Sequence, residues 1–115
     1  MISLFKFWSH EAEGFTDLSP ADVHERLKAG GGVQLIDVRS PGEYARGHIR
    51  KARLIPLVEL ANRSSELKAD RDIILYCQSA ARSRRGAKML AGLGFKNVYN
   101  MSGGIVRWTF GVERS

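Results

Sequence analysis

Cys77 is the single cysteine of this chain, and it stands where an apolar run, Ile73 to Tyr76, meets the small and polar segment Gln78-Ser79-Ala80-Ala81-Arg82-Ser83. An amphipathic helical pattern begins soon afterwards, so the sulfur is expected where a strand hands over to a helix. Backbone N–H groups at a helix N-terminus lack intrahelical acceptors and carry positive potential, which stabilises a thiolate or an anionic substrate held there. A free thiol ionises near pH 8.5, and lowering that by about 1.5 units takes roughly 2 kcal/mol of preferential stabilisation of the thiolate. From Gln78 to Ser83 most side chains are small, which lets the backbone curl with its amides inward as an anion-binding nest. Arg82 adds a planar, permanently charged donor suited to oxyanions. A lone cysteine is most often a small buried core residue. The polar loop, the arginine five positions on and the helix that follows argue here for a nucleophile.

The elements that must position this loop are legible as alternating strands and helices. Ser19 is a natural N-cap with Pro20 at the first helical position, and Leu18 with Val23 has the spacing of a hydrophobic staple. Val23 and Leu27 share a face, and Gly30-Gly31-Gly32 ends the helix. Val33 to Val38 is apolar enough for a strand buried on both faces. It gives way to Arg39-Ser40-Pro41-Gly42 and a short helical turn around Glu43-Tyr44-Ala45. An extended segment near Arg53 to Ile55 is broken by Pro56, and Leu57 to Leu67 reads as weakly helical. Asp72 to Tyr76 is a second buried strand. Ala87, Leu90 and Ala91 form an apolar stripe opposite Arg84, Arg85 and Lys88. Gly92-Leu93-Gly94 caps that helix, Lys96 to Tyr99 supplies a last strand, and Gly103 to Trp108 reads as the opening of a terminal helix. This order implies a three-layer α/β fold with a mainly parallel central sheet flanked by helices. Ligands in such sheets bind beyond the carboxyl ends of the strands, where both Cys77 and the Asp37-Val38-Arg39 turn fall.

Composition bounds the alternatives. The 115 residues suit one domain, with residues 1–14 as an N-terminal extension and a core over about 15–110. Hydrophobic content of 43% with 26% charged residues excludes a disordered chain. One cysteine excludes an intramolecular disulfide and a cysteine-rich metal site, and it fits a reducing, cytoplasmic setting. The apolar start, Ile2 to Trp8, is interrupted by Lys6 and lacks a signal-peptide cleavage pattern, and no stretch approaches a membrane span. A net charge of +6 attracts anions of any size. The clusters Arg82-Arg84-Arg85-Lys88 and Arg46-Arg50-Lys51-Arg53 lack the interleaved aromatics of a nucleic-acid platform and read as solvated faces. Neither nucleic acid nor membrane is an expected partner, and the oligomeric state stays open.

With these residues in place the chain resembles a single-domain rhodanese. The matching segments are Leu18-Ser19-Pro20, Leu35 to Arg39, Glu43-Tyr44, Gly47-His48-Ile49, Cys77 to Ser83, Leu93-Gly94-Phe95, and Gly103-Gly104-Ile105 with Trp108. Each alone is weak, but their order and spacing together are highly specific. The resemblance implies a catalytic Cys77 whose thiolate takes the outer sulfur of a small anionic donor such as thiosulfate, becomes a persulfide, and passes the sulfur to cyanide or a thiol. It implies no cofactor, no metal and no resolving cysteine. Gln78, Ser79, Ala80, Ala81, Arg82 and Ser83 then bind the substrate sulfur, and the acceptor is a low-molecular-weight or protein thiol. Two loop positions depart from the family: Ala80 stands where glycine is common, and Gln78 where arginine is frequent. If position 80 takes positive φ, alanine is strained there. Gln78 removes a cation for which Arg84 and Arg85 are the expected substitutes, and Lys51 replaces a usual glycine with local consequences.

Two other functions fit parts of the pattern. Dual-specificity cell-cycle phosphatases share this fold and end their loop in arginine, but their loop is one residue longer than the six from Cys77 to Arg82, so phosphatase or arsenate reductase chemistry is the weaker alternative. A sulfur-relay or docking module with little intrinsic activity is the stronger one, with Phe5-Phe7-Trp8 as its surface or as core packing. Asp37, Arg39 and Glu43 are expected as structural support, because attack on a sulfane sulfur needs little proton transfer. His48 has no partner at metal-ligand spacing, His10 and His24 form no constellation, and Trp108 is expected in the core.

Overall fold

The computed structural model describes residues 9–10 and 13–115, with side chains from residue 13 onward. The Phe5-Phe7-Trp8 segment and the His10 side chain lie outside the described residues. Six strands form one sheet in the order β1-β2-β6-β5-β3-β4. They are β1 (Ser9–His10), β2 (Phe15–Leu18), β3 (Gln34–Asp37), β4 (Arg53–Leu54), β5 (Ile73–Tyr76) and β6 (Val98–Met101). β1 runs antiparallel to β2, and the other neighbours are parallel. The helices are α1 (Pro20–Ala29), α2 (Pro41–Arg46), α3 (Leu57–Leu60) and α4 (Ala81–Gly92).

Side-chain alternation along the strands builds two cores on opposite sheet faces. Ile73, Leu75 and Cys77 join Ile36, Val38, Leu60, Ala87 and Leu90 on the face covered by α3 and α4. Ile74 and Tyr76 join Leu35, Val23, Ile49 and Met101 on the other, with Leu27 of α1 and Tyr44 of α2 packed against them. β5 is buried at all four positions, as an apolar strand between two layers must be. The expected three layers are therefore present. α1 starts as the sequence predicts, with Ser19 Oγ accepting the Asp22 N–H at 3.1 Å and Pro20 in the first turn.

Three elements differ from the sequence reading. Leu57 to Leu67 splits into the single turn of α3 and a 3-10 turn at Ser64–Glu66. β6 begins at Val98, because its register is set by pairing with β5 and β2 rather than by local pattern. No terminal helix follows Gly103: Gly103 and Gly104 adopt φ of 76° and 70°, and only a 3-10 turn at Ile105–Arg107 forms. Further along the tail, Glu113 and His48 exchange both backbone hydrogen bonds at 2.8 Å. Trp108 is half-buried against the α1 face, with its ring N–H donating to the Gly111 carbonyl at 2.8 Å.

Among the described residues no group of acidic, histidine or cysteine side chains is arranged to hold a metal ion, and no helix is long and apolar enough to cross a membrane. His48 stacks on Tyr44, with ring centroids 3.7 Å apart, and its Nδ1 lies 2.9 Å from the Tyr44 carbonyl.

Candidate active site

The parallel register of β3 and β5, with Asp37 opposite Tyr76, brings two strand-to-helix turns side by side at one end of the sheet. In the turn after β3, Ser40 caps α2: its Oγ accepts the Glu43 N–H at 3.2 Å, and the Glu43 carboxylate accepts the Ser40 N–H at 3.0 Å. This is a complete capping box. In the turn after β5 the residue at the cap position is Ala80, which has no side-chain acceptor. The Cys77 sulfur takes that place. It accepts the Ala80 N–H at 3.1 Å and the Ser83 N–H at 3.3 Å. Ser83 is the third residue of α4, the same position whose amide Ser19 and Ser40 satisfy in α1 and α2. Among the described residues the amides of Ala81 and Arg82, in the first turn, meet no acceptor. A sulfur at that helix end accepts two hydrogen bonds and lies at the positive helix terminus, where anionic ligands are stabilised.

The curl needs an unusual backbone and an external prop. Ala80 adopts φ +98°, the left-handed conformation that an L side chain enters at a cost of about 1–2 kcal/mol. The strain conditionally expected at this position is therefore present, as it is at Lys51, whose φ is +75°. The prop is the turn after β6: Ile105 N–H donates to the Cys77 carbonyl at 2.9 Å and Val106 N–H to the Gln78 carbonyl at 3.3 Å. With its carbonyls held outward, the loop is left with amides facing in. Gly104 makes this approach possible, since a Cβ there meets the Gln78 carbonyl oxygen at 2.2 Å.

Around this centre the charges are paired. Arg82 donates to both carboxylate oxygens of Glu43, at 2.7 and 2.9 Å, which locks α4 to α2 across the two turns. The Arg82 guanidinium holds the Glu43 carboxyl down to about 2, against the opposing effect of burial and with help from the Ser40 N–H. Arg39 binds both oxygens of Asp37 with the pair almost wholly buried, and it also donates to the Gly47 carbonyl at 2.7 Å. Burial, foremost, and the Asp37 charge raise the Tyr76 hydroxyl far above its ordinary pKa, and that hydroxyl accepts the Ile49 N–H at 3.0 Å.

Of the loop residues expected to bind, Ala80 and Ser83 touch the sulfur. Gln78, Ser79 and Ala81 are exposed and place no hydrogen bond on it. Gln78 instead lines a cavity of about 440 Å³ with Arg39, Glu43, Arg46, Ile105 and Val106. The cations of the cavity that Gln78 lines are thus Arg39 and Arg46, whereas Arg84 and Arg85 are exposed on α4 and line no part of it. Asp37, Arg39 and Glu43 hold the scaffold by the ion pairs just described.

Two residues escape the sequence reading. Asn100, wholly buried in β6, accepts the Ser83 hydroxyl through Oδ1 at 2.5 Å and donates from Nδ2 to Asp17 at 2.9 Å. Its signal is a lone amide in the apolar strand Val98–Met101. Gly104 is signalled by a glycine pair that no helix N-terminus requires.

The family model of the rhodanese-like domain matches residues 19–110. A sulfurtransferase of Allochromatium vinosum is 36% identical over 92 residues, which span 80% of this chain and 86% of that protein. The uncharacterized protein YqhL of Bacillus subtilis is 46% identical over 76 residues, 66% of this chain and 60% of that protein, so the match leaves two fifths of that relative uncovered. Among solved structures, a rhodanese-related protein from Thermoplasma volcanium superposes with a TM-score of 0.78 at 29% identity, over 86% of this chain and 98% of that one.

Proposed function

This chain belongs to the rhodanese-like family, and on that premise we propose that it is a sulfurtransferase whose Cys77 carries sulfur from a small anionic donor to a thiophilic acceptor. The observation that carries the reading is the sulfur serving as the cap of α4. A cap residue is an acceptor by position, and here the acceptor is also a nucleophile. The name of the Allochromatium vinosum relative supports the same reaction class.

With thiosulfate as donor, the Cys77 thiolate attacks the outer sulfur. A bond forms between Sγ and that sulfur, the bond to the sulfonate sulfur breaks, and sulfite leaves with the electron pair. The persulfide that remains carries its negative charge on the outer sulfur, where the unpaired amides of Ala81 and Arg82 are available as donors. A cyanide or thiolate acceptor then attacks the outer sulfur, and Cys77 departs as thiolate. Neither step needs a metal or an organic cofactor. Arg82, bound to Glu43, acts chiefly as the brace that fixes the α4 terminus, and Arg46, which has no ion pair among the described residues, lines the adjoining cavity. The six-residue span from Cys77 to Arg82 also supports sulfur over phosphate, because a loop tight enough for two amides to converge on Sγ leaves little room to encircle a phosphoryl group.

The test is steady-state thiocyanate formation from thiosulfate and cyanide. Wild-type protein is expected to turn over and Cys77→Ser to give background only. Equal rates in the two proteins contradict the proposal.

A further inference from the structure

Away from the sulfur loop, the tail from Trp108 to Gly111 borders a second cavity of about 360 Å³, together with α1 and the segment from Ile49 to Lys51. It shares no lining residue with the cavity beside Gln78. Leu27 and Ile49 supply aliphatic surface, and three rings stand beside them. His24 stacks on Phe110 with centroids 3.9 Å apart, and Trp108 meets the Phe110 ring edge to face at 5.0 Å. This wall is fixed by the tail itself: the Trp108 ring N–H donates to the Gly111 carbonyl, and Gly111 turns the chain at φ +93°. Phe110 still stays 43% exposed, which leaves apolar ring surface open to a ligand. No acidic side chain lines the cavity, whereas Lys28, Arg50 and Lys51 all do. Lys28 meets Glu25 at 3.4 Å and Arg50 meets Glu113 at 3.6 Å, in exposed pairs of the kind that contribute little. Lys51 has no ion pair among the described residues, and it holds φ +75°, a conformation that suits glycine. A lysine kept where glycine would relax the backbone marks the side chain as what the position needs, and such strain gathers at ligand sites.

We propose that this cavity binds a small planar aromatic compound carrying one carboxylate or similar anionic group. The rings and aliphatic surface take the ring system, through edge and face contacts with Trp108 and Phe110. Lys51, with Lys28 and Arg50 around the same cavity, attracts the anion. Both halves of the ligand are required. A neutral aromatic leaves Lys51 without a counter-charge, and a bare inorganic anion leaves the Phe110 ring uncovered. The volume sits at the low end of the roughly 300–1,000 Å³ of small-molecule sites, so it suits one or two fused rings rather than a dinucleotide. The site is separate from the sulfur loop, and its existence does not depend on sulfur transfer.

Titration of naphthoate into the whole chain, followed by backbone amide NMR shifts, tests this, with naphthamide as the neutral isostere. Naphthoate is expected to saturate one site and to shift amides at 24–28, 49–51 and 108–111. It should bind about fivefold more tightly than naphthamide, the most that an exposed charge interaction usually gives. Lys51→Gly removes the unpaired cation while relieving the left-handed backbone, so its fold is retained, and the preference should fall to about twofold or less. Phe110→Ala should weaken both compounds together, by about tenfold. Absence of saturable binding, equal affinity for the two compounds, or an unchanged preference in Lys51→Gly overturns the site. Shifts confined to residues 77–83 place the anion in the sulfur loop and overturn it as well. A short acidic peptide with one tryptophan that binds here more tightly than naphthoate assigns the cavity to a protein partner and overturns the small-molecule ligand. Thiocyanate formation is measured separately, so this site and the sulfurtransferase reading can each fail alone.

Discussion

The turns after β3 and β5 start from the same place in the sheet and end at helices of the same polarity, yet their helix ends are capped in different ways. After β3, Ser40 and Glu43 satisfy each other's backbone amides, and Glu43 is further engaged by Arg82. After β5, the cap residue is an alanine in a left-handed conformation, and the acceptor for the helix terminus is a sulfur three residues upstream. The difference teaches that a helix end left without its ordinary side-chain cap keeps amides free, which is what the proposed sulfur transfer needs. Completing the box after β3 stabilises the scaffold; after β5 its omission leaves the first-turn amides to be capped by Cys77 Sγ or left open. The two turns also depend on each other, since the Glu43 that closes the first box is the anchor of the arginine in the second.

Changing the sulfur itself tests the contrast most severely. Cys77→Ser keeps a capping acceptor and is expected to abolish sulfur transfer while melting close to wild type. Cys77→Ala is equally inactive and should also lose about 1 kcal/mol or more of stability, as caps do elsewhere. Equal melting temperatures for the two variants break the claim that the sulfur caps α4.

The prop comes next. Gly104→Ala places a Cβ against backbone and puts an L residue at φ +70°, so about 2–4 kcal/mol of destabilisation and more than tenfold lower transfer are expected. Denaturant unfolding with thiocyanate assays checks both.

Severing the link between the turns should have a smaller effect. Arg82→Ala leaves Glu43 half-buried without its guanidinium, and about tenfold slower sulfur uptake is expected, mainly through donor use. The sign of its pH dependence is fixed. The carboxyl falls from its usual 4.5 to about 2, so the pair stabilises the fold above about pH 4.5 and this contribution is lost as pH falls toward 2. The melting temperature of wild type should therefore drop more steeply over that window than that of Arg82→Ala; parallel curves contradict the pairing.

The mildest change addresses strain. Ala80→Gly and Lys51→Gly both relieve positive φ and should each stabilise by up to about 1 kcal/mol, the gain being offset by glycine's unfolded-state entropy. Only the change at position 80 should alter donor kinetics, because Lys51 lies outside the sulfur loop. A kinetic effect from Lys51→Gly breaks the distinction between strain at the site and strain elsewhere.

Features set by neighbours in sequence were readable from the chain. The Ser19-Pro20 start, the buried strands read over Val33 to Val38 and Asp72 to Tyr76, which form at Gln34–Asp37 and Ile73–Tyr76, and the small-residue curl after Cys77 each depend on local chemistry. The fold class followed from their alternation. What was not readable depends on distant backbone. The Gly103-Gly104 pair resembles a helix lead-in until β6 delivers it beneath the Gln78 carbonyl, and Asn100 is one polar residue in a strand until pairing sets it between Asp17 and Ser83. Arg82 looked like a free cation in sequence, and the β3–β5 register is what supplies Glu43 to it.

The measurement that tests the central claim most directly is intact-protein and peptide mass spectrometry after incubation with thiosulfate under reductant-free conditions. The account predicts one added sulfur atom, located on the peptide that contains Cys77, absent in Cys77→Ser and removed by cyanide. Wild-type protein that gains no sulfur from thiosulfate, mercaptopyruvate or a persulfide donor contradicts it.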